Sequence, residues 1–142
     1  MSVRVVLDTN VVVSGLLSEQ GPPGQLLGLV ASGQLTLAYD ARLWAEYVDV
    51  LARPELEIRT EEAQAILKVI EENGLLLTPP PWPHRLPDPD DEAPLAVAAA
   101  AGCPLVTGNL RHFPVAIREG IRVLKPGEWL AVLRAEPRIP PS

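Results

Sequence analysis

The run Val3-Arg4-Val5-Val6-Leu7, followed at once by Asp8-Thr9-Asn10, constrains the fold more than any other stretch. A short β-branched run reads as a buried strand. A carboxylate just past such a strand sits where α/β sheets place their sites. The rest of the chain supplies the alternation of elements that this placement needs.

A helix is expected over 11–17, with Thr9 or Asn10 as its cap and Gly-Pro-Pro-Gly at 21–24 as its end. A second helical stretch covers 25–31 and closes at Ser32-Gly33. Leu35-Thr36-Leu37-Ala38-Tyr39 reads as a strand, and Asp40 caps the helix after it. In that helix Leu43, Trp44, Tyr47, Val50 and Leu51 share one apolar stripe, and Glu46 falls beside it. Thr60-Glu61-Glu62 opens a further helix that Asn73-Gly74 stops, and 75–77 is a short strand.

Residues 79–90 are too rich in proline for a helix or a central strand and read as a stiff loop. The loop delivers Asp88, Asp90, Asp91 and Glu92 to an alanine-rich helix over 93–101, with Pro94 tolerated in its first turn. Pro104-Leu105-Val106 is a strand, Thr107-Gly108-Asn109 a turn, 121–124 a strand, and Pro126-Gly127-Glu128 opens a last helix. Alternating strands and helices predict a mostly parallel sheet covered on both faces. A length of 142 residues suits one domain, here 1–136, with a loose tail at 137–142.

No apolar run approaches the ~18 residues that span a bilayer, and no signal-peptide pattern precedes the first strand, so a cytoplasmic protein off the membrane is expected. The single cysteine, Cys103, stands in an apolar setting and reads as packing. The net charge of −6 argues at first against a polyanionic partner. The average conceals an uneven distribution: residues 1–104 carry −9 and residues 105–142 carry +3. An acidic centre flanked by a basic segment fits a metal site beside a polyanion.

Asp8, Glu46, the acidic run 88–92 and Asn109 each have an ordinary reading: a helix cap or turn, a solvated helix residue, charges that favour a helix dipole, and a turn residue. Together they offer the oxygen ligands that a hard cation such as Mg²⁺ takes. Such a cation polarises a phosphodiester and acidifies an attacking water.

Four blocks carry a resemblance. They are Val5-Val6-Leu7-Asp8-Thr9-Asn10-Val11; Glu46-Tyr47-Val48-Asp49-Val50-Leu51-Ala52-Arg53-Pro54; Asp88-Pro89-Asp90-Asp91-Glu92-Ala93-Pro94-Leu95-Ala96; and Leu105-Val106-Thr107-Gly108-Asn109-Leu110-Arg111-His112-Phe113-Pro114. In order and spacing they resemble the PIN domain, and more closely the PIN-family toxins of toxin–antitoxin pairs. The resemblance implies an α/β/α sandwich and a Mg²⁺- or Mn²⁺-dependent endoribonuclease acting on RNA. It also implies a small antitoxin as partner and a homodimer. It places the catalytic and metal-binding carboxylates on Asp8, Glu46 and Asp91, with Asp88 next and Asn109 where many members have another aspartate. Asp90 and Glu92 compete for the same register. Thr9 and Asn10 would then hold Asp8 in place, and Ser14 would approach from one turn on. Arg111 and His112 would contact phosphate, or remain a solvated Arg and a structural His.

Two other readings stay open. One is an aspartate-nucleophile phosphatase, although Asn10 stands where those enzymes carry a second aspartate. The other is a PIN-like binding module that has lost its activity, which Asn109 supports.

Overall fold

The computed structural model describes residues 3–135, so the tail expected at 137–142 lies outside the described residues. Five strands, β1 (Val3–Leu7), β2 (Leu35–Tyr39), β3 (Leu75–Leu76), β4 (Leu105–Val106) and β5 (Val123–Leu124), form one sheet in the order β3-β2-β1-β4-β5. Every pairing is parallel. Six helices accompany them among the described residues: α1 (Thr9–Leu17), α2 (Pro22–Ala31), α3 (Ala41–Leu51), α4 (Thr60–Asn73), α5 (Glu92–Ala101) and α6 (Pro126–Ala135). The result is an α/β sandwich.

β1 is central because it pairs on both edges, and its faces are covered as well. Val5, Val6 and Leu7 are fully buried, and the strand pairs with β2 through Val3 to Leu35 and Val5 to Leu37, and with β4 through Val6 to Leu105 and Leu7 to Val106. Each such aliphatic side chain taken out of water contributes about 1.5–3 kcal/mol. The alanines of α5 lack bulk, which lets the helix pack directly on β1, β2 and β4 with Leu95 and Val97 buried beneath it. Gly102 ends α5 in the left-handed conformation at φ 65°, which a residue without Cβ adopts cheaply.

Several boundaries differ from those expected. Helix α1 starts at Thr9, and its cap is Asp8, whose side chain accepts from the Thr9 N–H; neither Thr9 nor Asn10 caps it. Helix α2 begins at Pro22 rather than at residue 25, since prolines in a first turn have no N–H to leave unpaired. Helix α5 begins at Glu92, after a 3-10 turn over Pro89–Asp91. The strand expected over 121–124 shortens to β5, because β4 offers it just two partners, Leu105 for Val123 and Val106 for Leu124.

From β1 the chain steps outward to β2 and β3, returns through the proline-rich loop and α5 to β4 on the other side of β1, and continues to β5. The direction of winding therefore reverses between β1 and β4. Open α/β sheets present a crevice at the carboxyl ends of the strands flanking such a reversal. Here those ends are Asp8, after β1, and Thr107, after β4.

The long loop that returns the chain is fastened along its length. Trp82 Nε1 donates to the Ile117 carbonyl at 3.0 Å, His84 pairs with Glu119 at 2.6 Å, and the N–H of the buried Leu86 donates to Glu92 Oε2 at 3.3 Å. The loop thus adopts a fixed path that sets down the acidic start of α5 at the crevice.

Candidate active site

Asp8 is the hub of the crevice. It is 6% exposed and accepts three hydrogen bonds: from the Thr9 N–H at 2.9 Å, from Asn10 Nδ2 at 3.2 Å and from Thr107 Oγ1 at 2.8 Å. Asn10 reaches across the winding reversal, since its Oδ1 also accepts from the Gly108 N–H at 2.9 Å. A Cβ at residue 108 would come within 3.2 Å of that same oxygen, so glycine permits the close approach. Thr107 is fully buried and accepts in turn from the Asn109 N–H at 3.0 Å.

Glu46 arrives on α3, whose start is fixed by Asp40 accepting from the Leu43 N–H at 2.9 Å. The Thr9 hydroxyl donates to Glu46 Oε1 while its N–H donates to Asp8, so Thr9 links the two carboxylates. Asp91 arrives at the start of α5 with its carboxylate mostly covered, and His112 Nδ1 lies 3.1 Å from its Oδ2.

These acids are placed where negative charge is unwelcome. Burial is the largest effect at Asp8 and holds its carboxyl above the ordinary value despite the bonds from Thr107 and Thr9. Burial also raises Glu46, offset by the Thr9 hydroxyl and reinforced by the charges of Asp8, Asp90 and Asp88. Asp91 is pushed up to about 6, first by burial and then by the charge of Asp8, with His112 opposing. Among the described residues, no Lys or Arg lies within salt-bridge distance of Asp8, Glu46 or Asp91.

Residues 4–111 match the family model of the PIN domain. The chain belongs to the PIN-domain family. A PIN domain is a nuclease-type fold, and this membership agrees with the all-parallel sandwich described above. The chain matches no protein of curated function.

Within this PIN domain the crowded acidic run divides its labour. Asp88 Oδ1 accepts from the Asp90 N–H at 3.0 Å and shapes the turn, while Glu92 is spent on Leu86. The exposed Asp90 side chain accepts no hydrogen bond among the described residues. Asp91 has its carboxylate mostly covered, and after that burial the charge of Asp8 is what raises its carboxyl most. The Asn109 side chain is exposed beyond Thr107, Ser14 is exposed without a contact to the acids, and Arg111 is exposed. His112 contacts Asp91, so of the two residues expected at phosphate it is the one built into the acidic group.

Two contributors are not among the residues that the sequence marks. Thr107 stands in an expected turn, and the signal it carries is its place directly after a buried strand, mirroring Asp8. Tyr47, expected on the apolar stripe of its helix, is fully buried, and its hydroxyl also donates to the Leu7 carbonyl. Cys103 packs against the core, as its apolar setting predicts, and burial pushes its thiol up to about 11, which keeps it protonated near neutral pH.

The donor set is all oxygen and strongly negative, as hard divalent cations require. Its spacing is not that of an assembled centre: among the described residues no three His, Cys, Asp or Glu groups stand close enough to hold a metal ion. Glu46 is engaged by Thr9, and Asp91 by His112. No helix of the described residues is long and apolar enough to cross a membrane.

Proposed function

We propose that this PIN domain is a Mg²⁺- or Mn²⁺-dependent endoribonuclease, with Asp8, Glu46 and Asp91 as its catalytic carboxylates. The observation that carries the proposal is the convergence of these three acids, from distant segments, on the crevice where the winding reverses, each with its carboxyl raised. Asp88 and Asn109 stand at the margin as further oxygen donors. When bound, the cation supplies Lewis acidity to the phosphodiester and brings a water toward hydroxide.

The chain's own residues do the rest. Thr107, Asn10 and the Thr9 N–H fix both oxygens of Asp8, so that its orientation is set before substrate arrives. Glu46, which accepts the Thr9 hydroxyl, and Asp91, which holds His112, would with Asp8 be the residues that hold the cation. The exposed Arg111 and His112 would contact the phosphate of the substrate.

The likeness of the four sequence blocks to PIN-family toxins extends the proposal to a cytoplasmic toxin formed by residues 1–136, homodimeric and silenced by a small antitoxin. Incubating the wild type and Asp8→Asn with single-stranded RNA and Mg²⁺ tests the chemistry. Cleavage is expected to fall by more than the roughly 10- to 100-fold that loss of a group merely supporting a metal site costs. Equal cleavage by both proteins overturns it.

The spacing of the acids and the uncharged Asn109 favour a second reading, a PIN domain retained as a binding module. Titration with Mn²⁺ followed by calorimetry separates the two, since a folded protein that takes up no heat-producing metal is the module. The phosphatase reading has less support, because Asn10 offers no acid and both ends of its amide are engaged by Asp8 and Gly108.

A further inference from the structure

A cleft of about 80 Å³ opens beside Glu46, lined by Arg42, Leu43 and Glu46 of α3 and by Pro89, Asp90 and Ala93 at the start of α5. At about 30 Å³ per water it takes a group the size of two or three waters, which suits the edge of a sugar or a phosphate. Arg42 lies one helical turn before Glu46, on the same face of α3. Its Nε is spent on Asp40 at 3.0 Å, whereas its two terminal amino groups have no partner among the described residues, and the side chain is 52% exposed.

Asp90 complements it. The Asp90 N–H is taken by Asp88, but its carboxylate is free to accept, and its charge reaches Glu46. The cleft therefore offers an oriented cation and an open acceptor side by side, next to the acids. A ribose–phosphate unit presents the matching pair, an anion that suits the guanidinium fork and a 2′-hydroxyl that donates. DNA presents the anion alone.

We propose that the Arg42–Asp90 cleft is a subsite for the ribose–phosphate flanking the cleaved bond, with Arg42 on the phosphate and Asp90 on the 2′-hydroxyl. The inference rests on the nuclease reading and gives that site a physical means of preferring RNA.

The test is fluorescence anisotropy of a short labelled single-stranded RNA, and of DNA in the same sequence of A and C, titrated with the full chain in EDTA at several salt concentrations. The wild type binds RNA more tightly than DNA. Arg42→Gln, which keeps an N–H for Asp40 while removing the charge, weakens both and lowers the salt slope by about 0.7. Asp90→Ala loses the preference for RNA. Arg53→Gln removes a similar arginine, paired with Asp49 further along the chain, and leaves slope and preference unchanged. Circular dichroism confirms that each variant is folded.

A wild-type slope in Arg42→Gln, a wild-type RNA-to-DNA ratio in Asp90→Ala, or no binding of either strand by the wild type overturns the proposal. If Asp8-dependent cleavage persists while both variants bind like the wild type, the subsite alone is wrong. If nothing is cleaved but both variants behave as expected, the nuclease reading is wrong and the cleft is a ribose–phosphate contact of a binding module.

Discussion

The Tyr47 hydroxyl donates to the main-chain carbonyl of Leu7, the residue before Asp8, while its chain neighbour Glu46 receives the hydroxyl of Thr9, the residue after Asp8. Two adjacent residues of α3 thus grip the end of β1 on either side of the central aspartate. Tyr47→Phe keeps the ring and leaves the Leu7 carbonyl one donor short in the core. The expected cost is about 1 kcal/mol in urea denaturation, and an unchanged midpoint would show that the bond contributes nothing.

Thr107→Val preserves shape while removing a bond to Asp8. Affinity for Mn²⁺ should fall about 10- to 100-fold in a calorimetric titration, the usual effect of losing a group that orients a ligand, and Thr107→Ser should restore it. Wild-type affinity in the valine variant would remove Thr107 from the site.

The raised carboxyl of Asp91 makes a prediction about the metal-free protein. Between 3.8 and about 6 the folded chain holds a proton on Asp91 that the unfolded chain has released, so this group's contribution to stability falls as pH rises through that window. Asp91→Asn should therefore melt at a higher temperature than the wild type near pH 7 in EDTA, and the advantage should vanish below 3.8, where Asp91 is protonated in both states. An advantage independent of pH, or none at all, would contradict the assignment.

Register within the acidic run can be read from two neighbours. Glu92→Ala removes the acceptor of the Leu86 N–H and should cost about 1 kcal/mol of stability while leaving Mn²⁺ binding intact. Asp91→Ala should do the reverse, abolishing the calorimetric signal in a folded protein. The opposite pattern would move the ligand role to Glu92.

What the sequence made legible was local. The Asp40 cap, the stripe on α3, the stiff proline loop and the helix opened by Pro126 follow from residues a few positions apart, whose physics does not wait for the fold. Thr107 and Tyr47 could not be read in this way. Their partners lie 99 and 40 residues away, and a threonine in a turn or a tyrosine on an apolar stripe looks the same whether or not a distant strand end arrives. The acidic run falls between these cases. Its place before α5 was plain, but which of its members turns inward depended on the loop that Glu92 fastens.

That fastening bears on what changes in length the chain can absorb. Trp82 and His84 are moored to Ile117 and Glu119, close in sequence to the turn that carries His112. Residues inserted at 79–81, ahead of the moorings, would bulge outward and leave Asp91 and His112 facing each other. The same residues inserted between Leu86 and Asp91 would pay out slack directly into the crevice. The loop is a measured tether, and its length matters on one side of Trp82 and not on the other.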